Sequence, residues 1–244
     1  MHIELSRKEI VASLLTSLGT GLRMPLTFID AHHYIQHSQH IGKGLRGFKL
    51  YLKQFSEKLT VKLVRLMEDG DYVFAHAEYH FSASVAAGFN IFRFQDDRIV
   101  EHWDNLQLLP AHHPISSLTA GSVTIQERNR TAANKQLARY TVEDILLNGD
   151  NSRCPYYFRD NVQFQHYTCR HTNSTGNDSN IKYNKIHRVL GEGNFVLVVS
   201  EGRRADTHTA FYDLFRLENG RVAEHWNTAE KILTNDHTNS NTKF

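Results

Sequence analysis

Two short runs hold the residues best suited to chemistry. One is Glu101-His102-Trp103-Asp104; the other is Glu224-His225-Trp226-Asn227. Each closes a stretch in which side chains alternate as they do along a strand. His102 and Asp104 therefore share one face, and Glu101 and Trp103 share the other. On the strand before, Asn90 falls on the same face as Phe92 and Phe94. The matching set in the second run is Asp213, Phe215, His225 and Asn227. Each half thus carries one carboxyl and one amide at the same two places, exchanged. A carboxyl or amide among aromatics is costly to bury unless it is bonded or used, and a desolvated acid tends to keep its proton. Two readings follow. These groups are hydrogen-bonded core polar residues that fix a sheet, or Asp104 and Asp213 are general acid–bases beside His102, Asn90 and His225.

The elements that must position these residues occur twice. Lys62–Asp104 aligns without a gap to Lys185–Asn227, with 12 identities over 43 positions. This internal duplication sets the architecture. The expected division is a first copy over 1–112, a linker over 113–130, a second copy over 131–234 and a disordered tail over 235–244. In the first copy, Ser6-Arg7-Lys8-Glu9 reads as a capping box. Ile10, Leu14 and Leu18 then mark one face of a helix ended by Gly19 and Gly21. Leu26–His40 reads as a short helix and an extended entry. Leu45, Phe48, Leu52 and Phe55 space a second amphipathic helix. From Val61 the period becomes two, with turns at Asp69-Gly70 and Asp96-Asp97, and about four antiparallel strands follow. In the second copy Thr131–Leu147 reads as a helix. The polar stretch His171–Asn180 suggests that much of a second helix has been lost. The fold class is α+β.

Further candidates flank the sheet. His37 follows Ile35-Gln36, and His166 follows Phe164-Gln165, so both read as groups at a cavity mouth; His76, Phe92 and Asn227 join them as pocket residues. His76-x-Glu78-x-His80 could ligate a metal, but the second copy has Val199, Glu201 and Arg203 there, so no metal is expected. His112-His113 reads as exposed loop histidines. Trp103 and Trp226 read as packing anchors. Arg93 and Arg216 read as exposed cross-strand partners of Glu101 and Glu224, worth little each.

The totals exclude several classes. A formal net charge of +2 and no basic run with interleaved aromatics argue against a nucleic-acid partner. No apolar run approaches the ~18 residues of a membrane span. The two cysteines, Cys154 and Cys169, form no disulfide framework and suit a reducing compartment. The start, Arg7-Lys8 before an apolar run, resembles a short signal peptide, but Glu4, Glu9 and the missing cleavage pattern favour a helix; a cytoplasmic protein is expected. A phosphate-cradling glycine loop, a nucleophile elbow and a Cys-x-x-Cys pair are all absent, so covalent and nucleotide chemistry have little support.

At Tyr34-Ile35-Gln36-His37 and Ile99-Val100-Glu101-His102-Trp103-Asp104 the chain resembles the SnoaL-like polyketide cyclase family, of the nuclear-transport-factor-2-like fold. The second half is similar from Asn134 through Gly191–Val196 to Glu224-His225-Trp226. The resemblance implies two tandem cone-shaped α+β barrels, each a curved antiparallel sheet wrapped around N-terminal helices over a pocket. It implies aldol-type acid–base chemistry on a small apolar or aromatic carbonyl compound without cofactor. Asp104 matches the family's His-Trp-Asp aspartate. Asp213 falls where the similar ketosteroid isomerases place a pocket aspartic acid, one kept neutral to donate a hydrogen bond. Single folds of this kind often pair, so the two halves are expected to pair with each other as a pseudo-dimer. The chain departs from the family at His37-Ser38-Gln39 and His166-Tyr167-Thr168, where His-Asn-Pro is common, at Asn90 and at Asn227. The same fold serves non-enzymes, so a small-ligand binding or assembly module without chemistry is the alternative.

Overall fold

A computed structural model describes residues 5–20, 24–55, 59–109, 114–164, 180–233 and 242–244. The chain divides into two units: Met1–Thr119 with Leu233–Phe244, and Ala120–Ile232.

The first unit begins with helix α1, Arg7–Ser17. Its start is fixed as the sequence predicts: Glu9 N donates to Ser6 Oγ, and Ser6 N donates back to Glu9 Oε2 at 2.8 Å. A 3₁₀ turn over Met24–Phe28 leads to a two-residue strand β1, Ile35–Gln36. Helix α2 spans Gly44–Phe55. Strands β2, Leu59–Asp69, β3, Tyr72–Phe81, β4, Val85–Gln95, and β5, Arg98–Leu108, then form an antiparallel meander. The turns use the residues that allow positive φ: Gly70 at 59°, and Asp96 and Asp97 at 48° and 57°. β1 adds to β5 in parallel, so the sheet order is β1-β5-β4-β3-β2. This fifth strand is missing from the sequence reading, because two residues are too few to show a period. The core lies between α1 and the inner sheet face. Ile10, Val11, Leu14 and Leu15 pack there with Val73, Ala75, Ala77, Phe92 and Phe94. The two alanines on β3 leave room for the helix to approach.

A short helix α3, Ser116–Thr119, closes the first unit's continuous segment. The second unit has α4, Thr131–Thr141, continued by a π-helical turn over Val142–Leu147. Then come α5, Cys154–Tyr157, and strands β6, Phe158–Phe164, β7, Ile181–Glu192, β8, Phe195–Arg204, β9, Thr207–Glu218, and β10, Arg221–Lys231. The order β6-β10-β9-β8-β7 repeats the first sheet, again with one parallel edge pair. Asn219 and Gly220 make the matching turn with φ of 54° and 75°. Ala138, Val142 and Ile145 pack on Val196, Val198, Phe211 and Phe215.

Three expectations change. Neither sheet closes into a barrel: β2 and β7 end their sheets without pairing to β1 or β6. The segment read as the end of a linker lies along the second unit, with Gln126 N donating to Asn194 Oδ1 at 2.8 Å. Cys154 is disulfide-bonded, so the cysteines do not argue for a reducing compartment. His112, His113, His166, most of the polar stretch 171–180 and residues 235–241 of the tail lie outside the described residues. Thr242–Phe244 are described and belong to the first unit, where Lys243 is buried. Among the described residues no helix is long and apolar enough to cross a membrane.

Candidate functional site

Inner-face residues of β3, β4 and β5 meet α1 and α2 around a cavity of about 20 Å³. That is room for about one water molecule. Leu14, Leu15, Leu18, Ile41, Phe48, Phe92 and Leu106 make its apolar wall, and Tyr51, Tyr79, Asn90, His102 and Asp104 supply its polar atoms. The register follows the alternation read from the sequence: Asn90 faces Asp104, and Phe92 faces His102, across the β4–β5 ladder. The Phe92 and His102 rings stack with centroids 4.5 Å apart.

A chain of polar contacts runs through the wall. Asn90 is placed with Nδ2 donating to Tyr79 Oη and Oδ1 facing His102 Nε2 at 3.0 Å. His102 Nδ1 faces Gln36 Oε1 at 2.9 Å. Both ring nitrogens of His102 then face carbonyl oxygens, which only an imidazolium could satisfy. Burial opposes that charge, and pushes the His102 pKa down to about 4 although Asp104 pulls the other way. Turning the Asn90 amide over removes the conflict. Tyr79 then donates to Asn90 Oδ1, Asn90 Nδ2 donates to His102 Nε2, and His102 donates through Nδ1 to Gln36. Burial raises Tyr79, and burial followed by the charge of Asp104 raises Tyr51 to about 12, so both phenols stay protonated.

Asp104 stands apart from this chain. It is only 5% exposed, and its Oδ1 makes no hydrogen bond among the described residues. Lys243 Nζ lies 3.6 Å from that oxygen and donates to the Asp104 backbone oxygen at 2.6 Å.

In the second unit Asp213 faces Asn227 across β9 and β10. Asp213 is fully buried, and both its oxygens are engaged. Tyr183 Oη donates to them at 3.2 and 3.1 Å, and His225 Nε2 lies 2.9 Å from Oδ1. Phe215 stacks on His225 at 4.6 Å, as Phe92 does on His102. Asn227 is partly buried. The tyrosine comes from a different strand in each unit. Tyr79 stands on β3 opposite Val61, whereas Tyr183 stands on β7 opposite Gly202. A Cβ on Gly202 would meet Lys182 O at 2.1 Å, so glycine admits the close strand that brings Tyr183 in.

Two expected pocket residues lie elsewhere. His37 stacks on Trp103 at 4.6 Å and pairs with Glu101 at 2.9 Å, on the sheet face away from the cavity. Its backbone N donates to His102 O, and continuing the strand alternation turns its side chain to the Trp103 side. His76 stacks on Phe89 at 4.4 Å and faces Arg65 Nη1 at 3.0 Å, also on the outer face. Burial, then the Arg65 charge, hold its pKa well below the ordinary value, so it accepts from Arg65 as a neutral ring. Glu78, beside it in sequence, is bonded by Thr119, Lys62 and His80. Arg93 and Glu101 pair at 2.7 Å, and Arg216 pairs with Glu224, but these pairs are half-buried rather than exposed. The sequence reading missed Tyr51, Tyr79, Tyr183 and Lys243. Alternation with Ala75 and Ala77 marks Tyr79 as inward-facing. Tyr51 stands three residues after Phe48 and four before Phe55, which puts it on the apolar face of α2; no local pattern marks Tyr183 or Lys243.

Residues 28–102 match the family model described as the SnoaL-like domain. The first unit carries a SnoaL-like domain. The match runs from the end of the 3₁₀ turn to His102 and so covers β1, α2, β2 to β4 and the first half of β5 in the SnoaL-like unit. Similar solved structures include TsrD from Streptomyces laurentii, at 17% identity over 42% of this chain and 91% of that one, TM-score 0.36. A Bacillus cereus protein provisionally assigned as a polyketide cyclase is 18% identical over 42% and 78%, TM-score 0.36. A Mycobacterium tuberculosis LEH-like epoxide hydrolase is 14% identical over 41% and 84%, TM-score 0.30. No curated protein matches the chain significantly.

Proposed function

We propose that the SnoaL-like unit is a cofactor-independent acid–base enzyme acting on a small apolar carbonyl compound, of the lyase, isomerase or cyclase type. The supporting observation is Asp104: a carboxyl in an aromatic hollow, buried, with an oxygen that accepts no hydrogen bond from the described residues and faces the Lys243 ammonium at 3.6 Å. Such a group is poised to take a proton from carbon α to a carbonyl and to return it. The substrate's oxygen falls to the phenol of Tyr51, which stays protonated and lines the same cavity, because the Tyr79 proton is used on Asn90. His102 and Asn90 are spent on each other and on Gln36 and Tyr79, so they act through orientation rather than by holding the substrate. The cavity is far smaller than the ~300 Å³ of ordinary ligand sites. Binding therefore requires the α1 and α2 side chains to move outward.

The test is solvent exchange. The full chain is incubated in D₂O with a panel of cyclic ketones and 1,3-diketones, and α-deuteration is followed by NMR. Deuteration above the buffer rate, abolished by Asp104→Asn, supports the proposal. Equal rates with native protein and Asp104→Asn overturn it.

The second unit favours the non-catalytic reading. Both Asp213 oxygens are bonded by protein groups, and Asn227, in the place of Asp104, cannot transfer a proton.

A further inference from the structure

The C-terminal residues make a contact that the acid–base reading does not use. Lys243 is 5% exposed, although nothing local in Thr242-Lys243-Phe244 suggests a buried position. Its ammonium lies 3.6 Å from Asp104 Oδ1 and donates to Asp104 O at 2.6 Å. That oxygen sits on the edge of β5 just past the point where β1 stops: His37 N takes the His102 carbonyl at 2.8 Å, and the ammonium takes the next carbonyl on that edge. Thr242 O, one residue before, meets His37 Nδ1 at 2.5 Å. The segment is therefore seated by two side chains on two elements of the first unit. A buried ammonium is sustained by opposite charge close by, and Asp104 supplies such a charge at 3.6 Å.

We propose that Lys243 is the positioning residue of this site, holding the Asp104 carboxyl fixed at the cavity wall through its charge. The assignment rests on the acid–base reading for its catalytic meaning. The physical pairing has a consequence of its own. Without an opposite charge within about 4–6 Å, a carboxyl in an apolar hollow takes up its proton at higher pH, by about 1–3 units. A protonated Asp104 cannot accept the α-proton, so removing the Lys243 charge would move the acid limb of α-deuteration to higher pH while the fold persists.

The experiment uses the full chain with ¹³C-labelled aspartate. The Asp104 resonance, identified by its loss in Asp104→Asn, is titrated in native protein, Lys243→Met and Lys243→Arg. The expected result is a rise of its midpoint by about one pH unit or more in Lys243→Met, with most of the shift removed in Lys243→Arg. The acid limb of α-deuteration against pH moves by the same amount. An unchanged Asp104 midpoint in Lys243→Met overturns the role of Lys243 and leaves the acid–base reading standing. A shifted midpoint in a protein that deuterates no ketone in the panel supports the pairing and overturns the acid–base reading alone.

Discussion

The two units build the same hydrogen-bonded motif from different parts. Each has a tyrosine, an Asn or Asp on the third strand of the meander, a histidine on the fourth, and a phenylalanine stacked on that histidine. In the first unit the middle group is the amide of Asn90, and the carboxyl stands opposite on the cavity wall, facing the Lys243 ammonium, with its Oδ1 accepting no hydrogen bond among the described residues. In the second the middle group is the carboxyl of Asp213, bonded on both oxygens, and the amide of Asn227 stands opposite. Exchanging one carboxyl and one amide across a strand pair moves the charge from a place where it can meet a ligand to a place where it ties the core together. The identity of a polar pair is thus not enough to assign a role; which member is left with open valence decides it.

Four experiments press on that contrast, from the largest expected effect down. Asp104→Asn should cut α-deuteration by about 10²–10⁴-fold, the usual contribution of a general acid or base, whereas Asp213→Asn should leave it unchanged. The double exchange Asn90→Asp/Asp104→Asn, which copies the second unit into the first, should be as inactive as Asp104→Asn. If it deuterates at the native rate, the contrast is wrong. Asp213→Asn should instead cost stability, by about 3 kcal/mol in urea unfolding, because it leaves His225 and Tyr183 without their buried anionic partner.

The third concerns pH. His102 is held near 4 in the folded protein, against an ordinary value of 6.5. Above pH 6.5 it is neutral in both states and costs nothing. Between 6.5 and 4 only the unfolded chain gains the proton, so stability is lost as pH falls through that window and the loss stops below it. The expected loss between pH 7 and 5 is about 2 kcal/mol, and His102→Gln should flatten it in urea unfolding at the two pH values. The smallest effect compares the tyrosines. Tyr183→Phe removes a donor to a carboxylate and should cost about 2 kcal/mol. Tyr79→Phe removes a neutral bond and should cost about 1 kcal/mol. Equal losses would mean that the Tyr183–Asp213 bond is no stronger than the neutral one.

Much of this was legible in the residues. The duplication, the capping box at Ser6, the turns at Gly70 and at Asp96-Asp97, and the shared face of Asn90, Phe92, His102 and Asp104 all follow from local rules. His37 and His76 were misplaced because a short extended segment and a long strand each have two faces, and the sequence pattern around them does not say which one is covered. Tyr183 escaped notice because its counterpart in the first copy, Tyr79, lies on another strand, so comparing aligned positions pairs it with nothing.

By itself the sequence determined which side chains travel together along each strand, because alternation and positive-φ turn residues act over a few neighbouring positions. Only the tertiary structure decided which of those side chains find partners. Gln36 reaches His102 across 66 positions, and Lys243 reaches Asp104 across 139. Such contacts arise when sheet edges, helices and the chain's last residues are brought together by the burial of a common core, and no short-range pattern encodes the distance at which that packing comes to rest.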